Sequence, residues 1–110
     1  MITITGEHLT MEDVAAVAQG ASATLAQEAV AAMARSWEGV QTLLARGEIA
    51  YGITTGFGAF KGRIIPPHEV AALQRNLVLS HAVGVGPLLD AAAVRAAIAV
   101  RVNTLAMGYS

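Results

Sequence analysis

The longest apolar pattern in the chain, residues 23–46, is rich in alanine and places larger apolar side chains at helical spacing. Gly47 follows it, at the position where glycine is favoured as the C-terminal cap of a helix. The pattern predicts one long helix, with room for a few extended residues before it. Because alanine lets helices approach closely but buries little area per residue, such a helix is typical of a large bundle.

A short strand and a short helix are predicted before this segment. Residues 2–5 alternate in a way that suits a strand. Thr10, with Asp13 three residues later and an apolar run behind it, matches a capping box. This start predicts a helix through about Gln19, with Gly20 ending it.

Two further helices are predicted in the second half. Pro66 and Pro67 suit a helix entry, and apolar residues then share one face until Gly84. Asp90 can cap a last helix with apolar side chains three or four residues apart, and Gly108 stands past its end. The fold class is therefore expected to be mainly α, with a short N-terminal strand.

Composition narrows the class of protein. The chain has 110 residues, enough for one small domain, with 55% hydrophobic and only 14% charged residues, which excludes a disordered tail. A net charge of -1 without basic clusters argues against nucleic acid as a partner. There is no cysteine, and His8, His68 and His81 are scattered, so no metal site is expected.

The apolar segments are too short or too interrupted to predict a membrane span. The stretch at residues 76–89 contains Ser80, His81, two glycines and a proline. The first nine residues lack the basic start and apolar core of a signal peptide. No membrane partner is expected, and a cytoplasmic location follows as the default.

A glycine-rich segment at residues 51–60 separates the second and third predicted helices. Three glycines, Gly52, Gly56 and Gly58, give it backbone freedom, and it holds three of the five aromatic residues. It is predicted to be non-helical, and Lys61 stands where a dinucleotide fingerprint would need glycine. Two interpretations stay open: a turn anchored by aromatics, or a loop that folds over a ligand and delivers the Tyr51 hydroxyl.

Ser80 and His81 form the second candidate site, at the end of the third predicted helix. His81 shares the apolar stripe of Leu73 and Leu77, where a histidine is usually a hydrogen-bonded core residue and less often a ligand contact. Ser80 adds a hydroxyl, but no nucleophile-elbow motif surrounds it, so serine hydrolysis is disfavoured.

Three motifs together carry a family resemblance that covers nearly the whole chain in the same order and spacing. They are YGITTGFG at residues 51–58, LQRNL running into SHAVGVG at residues 73–86, and RVNTLAMGYS at residues 101–110. The chain resembles the N-terminal segment of the aromatic amino acid ammonia-lyases, and within that family the enzymes acting on histidine match best. The resemblance implies a mainly α fold of the fumarase/aspartase-like superfamily.

The resemblance also implies a reaction and a cofactor. Family members are homotetramers that eliminate ammonia from an amino acid by means of a methylidene-imidazolone group (MIO), formed from an internal Ala-Ser-Gly. Residues 1–110 lack that tripeptide. We therefore expect them to be inactive by themselves and to need the remainder of the enzyme chain and its partner subunits.

The same resemblance implies a role for each candidate site residue. Tyr51 matches the loop tyrosine that acts in proton transfer. Ser80 and His81 match the pair that selects the substrate, with Ser-His typical of enzymes that convert L-histidine to trans-urocanate. Gly52, Gly56 and Gly58 are expected to shape the loop, and Asn103 is assigned to packing.

Thr54 departs from the histidine-specific pattern, in which asparagine is common, since threonine occurs in phenylalanine-type relatives. The alternatives are therefore a phenylalanine or tyrosine ammonia-lyase, an aminomutase with the same prosthetic group, or an inactive helical interaction module. The presence of Ala-Ser-Gly downstream, or on a partner chain, separates an enzyme from such a module.

Overall fold

A computed structural model describes all 110 residues and confirms a mainly α chain with one small pair of strands. In chain order the elements are β1 (Ile2–Ile4), α1 (Met11–Ala18), β2 (Ala23–Leu25), α2 (Gln27–Arg46), α3 (Val70–His81) and α4 (Ala91–Ala106). The chain divides into two compact units, residues 1–38 with 87–110, and residues 39–86.

Helix α1 begins with the predicted capping box. The Thr10 hydroxyl accepts from the N–H of Asp13, and the Asp13 carboxylate accepts from the Thr10 N–H. The Thr10 hydroxyl also donates to that carboxylate at 2.7 Å. Both hydrogen bonds to the carboxylate lower the pKa of the Asp13 carboxyl below its usual value, the bond from the Thr10 hydroxyl more than the bond from the Thr10 N–H.

The start of α4 agrees with the sequence, whereas both ends of α3 differ slightly. Asp90 caps α4 by accepting from the N–H of Ala93 at 2.9 Å. A single 3₁₀ turn, Pro67–Glu69, comes before α3. Helix α3 ends at His81, so Gly84 lies beyond the helix and does not stop it directly.

The long helix begins later than its alanine pattern indicates. Ala23–Leu25 form β2, which pairs in parallel with β1, Ile2 opposite Ala23. Only from Gln27 is the segment helical. The extended residues that the sequence left room for are therefore a strand, fixed by hydrogen bonds to a partner about twenty residues away.

The first unit has a core made mostly of small side chains. Ile4, Ala26, Ala29 and Ala106 form one buried cluster, and Ala99 is buried as well. Helix α1 packs against α4, and β1 also contacts α4. The Asn103 side chain accepts from the Gly6 N–H at 3.1 Å, which joins the N-terminal segment to α4.

Large apolar side chains remain exposed throughout the chain. Val85 is 99% exposed, Leu88 97% and Trp37 63%. This follows from the alanine content, since small side chains form a thin core and leave the larger ones uncovered. No helix is both long and apolar enough to cross a bilayer.

Candidate functional site

Hydrogen bonds between a threonine hydroxyl and the backbone hold the segment that carries Tyr51. Thr54 is buried, and its hydroxyl accepts from the Ala50 N–H at 2.7 Å and donates to the Glu48 carbonyl at 2.9 Å. The hydroxyl thus closes the turn in which Tyr51 lies. Thr54 therefore has a conformational role here, and its side chain does not line the cavity described below.

The far side of this turn is joined to the chain that follows it. An isolated antiparallel bridge pairs Thr55 with Ile64. The N–H of Gly56 donates to the Arg63 carbonyl at 3.1 Å. Gly58–Phe60, which lie between the two bridged residues, form one 3₁₀ turn. This corrects the prediction that the whole segment is non-helical.

The Tyr51 side chain reaches across its own loop. It is 64% exposed, and its ring meets the ring of Phe57 edge-on, with centroids 5.8 Å apart and an interplanar angle of 76°. The hydroxyl oxygen accepts from the Gly58 N–H at 3.2 Å. Since the oxygen only accepts here, its own proton stays available to another molecule.

Two of the loop glycines stand where a side chain would collide. At Gly52, with φ +72°, a Cβ would lie 2.8 Å from Cε1 of Phe57. At Gly56 it would lie 2.7 Å from Cβ of Phe60. Gly58 has open space around it but adopts φ +55°, a conformation that favours glycine, and its N–H donates to Tyr51.

Ser80 and His81 share one acceptor at the end of α3. His81 Nδ1 lies 2.8 Å from the Leu77 carbonyl oxygen and 3.1 Å from Ser80 Oγ. Ser80 Oγ itself donates to the Leu77 carbonyl at 2.9 Å. Because a carbonyl can only accept, Nδ1 carries the proton in the neutral imidazole, and Nε2 is left as an acceptor.

His81 is exposed, so it is not the buried core residue that its apolar stripe indicated. It is hydrogen-bonded, as that interpretation required, but through its own helix. The imidazole bends back onto the preceding turn through Nδ1, and Nε2 makes no hydrogen bond within the chain. This placement suits an interaction with another molecule better than a role in packing.

An open cavity of about 420 Å³ lies between the Tyr51 segment and α3 within residues 39–86. Ser80 and Gly56 line it, whereas Tyr51, Gly52, Gly58 and His81 do not. The remaining lining is mostly apolar with one basic and one acidic side chain: Phe57, Phe60, Arg63, Ile65, Glu69, Leu73, Asn76 and Leu77. Tyr51 and His81 thus lie outside this cavity, and no hydrogen bond joins them.

Gln74 lies within the LQRNL motif of residues 73–77, but the sequence predicted no role for it. Its side-chain Nε2 donates to the carbonyl of Gly52 at 2.7 Å. The contact joins residues 22 positions apart, so no helical or strand periodicity could reveal it. No group of three or more His, Asp or Glu side chains is arranged to hold a metal ion.

Comparison with known proteins identifies relatives of this chain. The family model described as aromatic amino acid lyase matches residues 9–110. Histidine ammonia-lyase from Chloroflexus aurantiacus is 52% identical over 99% of this chain and 22% of that protein. The enzyme of the same name from Streptococcus gordonii is 43% identical over 100% of this chain and 22% of that protein. The chain thus spans about a fifth of the length of these relatives.

Solved structures share the fold. A tyrosine aminomutase from Streptomyces globisporus superposes with a TM-score of 0.92 at 37% identity, covering 97% of this chain and 20% of that one. Ergothionase from Treponema denticola gives a TM-score of 0.92 at 29% identity, covering 97% and 22%. The family match over residues 9–110, together with relatives above 40% identity along the whole chain, shows that this chain belongs to the aromatic amino acid lyase family.

Proposed function

We propose that these residues are the N-terminal part of an enzyme that eliminates ammonia from L-histidine to give trans-urocanate. The observation that carries the proposal is the exposed His81 imidazole with Nε2 free to accept. The identity to histidine ammonia-lyases over the whole chain supports it. The chain is also similar, in fold and in sequence, to a tyrosine aminomutase at 37% identity and to an ergothionase at 29%.

His81 would recognise the substrate ring. With Nδ1 donating to the Leu77 carbonyl, Nε2 can accept from the N–H of a substrate imidazole. A phenyl ring offers no such donor and would leave Nε2 unpaired when water is excluded, at a cost of ~1 to 3 kcal/mol. Ser80 supports the same ring orientation through its contact with Nδ1.

Tyr51 would act in proton transfer. In the elimination the amino group leaves Cα and a proton leaves Cβ, so a group that can exchange protons must stand near the substrate. The Tyr51 side chain is 64% exposed; its oxygen can take the Cβ proton only as a phenolate, and the Gly58 N–H that donates to this oxygen would donate to that form as well. A Cβ at residue 52 or 56 would collide with Phe57 or Phe60, so glycine at both positions allows the loop this shape.

The proposal includes the family's methylidene-imidazolone group, which supplies the electrophile. Residues 1–110 contain no Ala-Ser-Gly, so they cannot form the group themselves. On this proposal the tripeptide belongs to polypeptide outside residues 1–110, and the enzyme is a cytoplasmic homotetramer that uses no metal.

Substrate assays on the complete protein containing these residues test the proposal. We expect the highest kcat/KM with L-histidine, measured by the ultraviolet absorbance of urocanate as it forms. We expect little or no turnover of L-phenylalanine and L-tyrosine. Preference for either of those substrates, with an unsaturated acid as product, would favour the other ammonia-lyases. A β-amino acid product would favour an aminomutase.

Replacing His81 with leucine in the complete protein should lower kcat/KM for histidine by roughly 10- to 200-fold. The change removes the acceptor Nε2 and offers an apolar surface, so slight activity on phenylalanine is also expected. Steady-state kinetics with both substrates measure the effect.

His68 provides the matched control, because it is also exposed and its nearest charged neighbour is Glu69 at 3.7 Å. His68→Leu should leave the substrate preference unchanged. If His81→Leu lowers thermal stability and leaves histidine turnover intact, His81 is a structural residue and the assignment is wrong.

Residues 1–110 in isolation should show no lyase activity and should self-associate. The electrophile is missing, and side chains such as Val85, Leu88 and Trp37 expose apolar surface to water. Light scattering measures the size of the particles, and urocanate absorbance measures turnover. A monodisperse monomer that converts histidine would contradict both expectations.

A further inference from the structure

We propose that Gln74 is a positioning residue that holds the Tyr51 loop, residues 51–58, against α3. Its side-chain amide donates to the carbonyl of Gly52 at 2.7 Å. This is the only hydrogen bond between the Tyr51 loop and α3. The effect on turnover rests on the proposed function, whereas the effect on the loop does not.

The bonded carbonyl belongs to the residue directly after Tyr51. The N–H of Gly52 donates to Thr55 Oγ1 at 3.2 Å, so both backbone polar groups of Gly52 are engaged. Gly52 has φ +72°, and the ring of Phe57 lies where a Cβ at this residue would stand, so the backbone conformation here depends on glycine. Holding Gly52 therefore sets the position of Tyr51 one peptide unit away.

The other contacts of Tyr51 are internal to its own loop. The ring packs on Phe57 and the hydroxyl accepts from Gly58. Such contacts keep the loop in shape but would move with it as a unit. Gln74 instead joins the loop to the helix that ends in Ser80 and His81, so it sets the proton-transfer group relative to the residues proposed to bind the substrate.

Gln74 is exposed, and this limits its effect on overall stability. An exposed amide exchanges its bond to protein for a bond to water at small net cost. Its loss should therefore leave global unfolding almost unchanged and act on the order of the loop alone. Local order and turnover, measured separately, distinguish a positioning residue from a general structural one.

Two variants of the complete protein test the proposal. Gln74→Glu keeps the shape but presents a carboxylate, which cannot donate to the Gly52 carbonyl, and Gln74→Met removes the donor without adding charge. In both we expect hydrogen exchange across residues 51–58 to accelerate roughly 3- to 10-fold, and kcat to fall by a similar factor with KM nearly constant. Gln41, exposed on α2, gives the control Gln41→Glu, which should change neither.

A double variant asks whether Gln74 acts through Tyr51. In a Tyr51→Phe background, Gln74→Glu should still accelerate exchange but should lower kcat no further, because the group that it positions is already gone. Unchanged exchange in both single variants would overturn the proposal, as would a full additional loss of kcat in the double variant. If the wild-type protein has no turnover, the proposed function fails, and the exchange rates alone decide whether Gln74 holds the loop.

Discussion

Replacing Tyr51 with phenylalanine should lower the kcat of the complete enzyme by about 100- to 10,000-fold, the usual contribution of a group that moves a proton in the transition state. The ring would remain packed edge-on against Phe57, so the loop should keep its shape. Only the hydroxyl and its bond to the Gly58 N–H are lost. Steady-state turnover of histidine, with circular dichroism to confirm the fold, measures the effect.

Tyr109 offers the matched control for this change. It is the only other tyrosine, and it is 89% exposed. Tyr109→Phe also removes one hydroxyl and should leave kcat within about twofold. Near-normal turnover in Tyr51→Phe would mean that Tyr51 only anchors the loop, which is the simpler interpretation that the sequence left open.

Replacing Gly108 with alanine should destabilise the protein by about 2 to 5 kcal/mol. Gly108 has φ +77°, a conformation that is unfavourable for alanine, and a Cβ there would lie 2.8 Å from the carbonyl carbon of Ala32. Backbone atoms cannot turn aside as a flexible side chain can, so the helices themselves would have to separate. Urea denaturation followed by circular dichroism measures the loss.

Gly47→Ala distinguishes the destabilisation caused by an unfavourable φ from the destabilisation caused by a close contact. Gly47 follows α2 much as Gly108 follows α4, and its φ is +66°, but a Cβ there would meet nothing within 4 Å. Gly47→Ala should therefore cost only about 1 to 2 kcal/mol. Equal losses in the two variants would show that the close approach at Ala32 does not limit stability.

The helix boundaries that the sequence predicted well are those with local signals. The capping box of Thr10 with Asp13 and the cap at Asp90 both form as expected. Each depends on atoms only three residues apart, so the residue types and their spacing are sufficient to predict them. The end of α3 at His81, where no glycine stands, was predicted less closely.

The sequence likewise predicted which residues form the candidate site, but not how they are arranged. The three motifs indicated the family and singled out Tyr51, Ser80 and His81, and the comparison confirms the family. Their geometry was not predictable: His81 bonds back to the Leu77 carbonyl and is exposed, although its spacing suggested burial. A helical stripe predicts which residues share a face but not whether anything covers that face.

The mainly α fold, the helix caps, the glycine-rich loop carrying Tyr51 and the family could all be predicted, because each depends on residue types at short or fixed spacing. The strand at Ala23–Leu25, the bond between Asn103 and Gly6 and the bond between Gln74 and Gly52 are seen only in the folded chain. Those contacts join residues 21, 97 and 22 positions apart. The chain must fold before such partners meet, so local propensity, which favours helix in an alanine-rich segment, gives no sign of them.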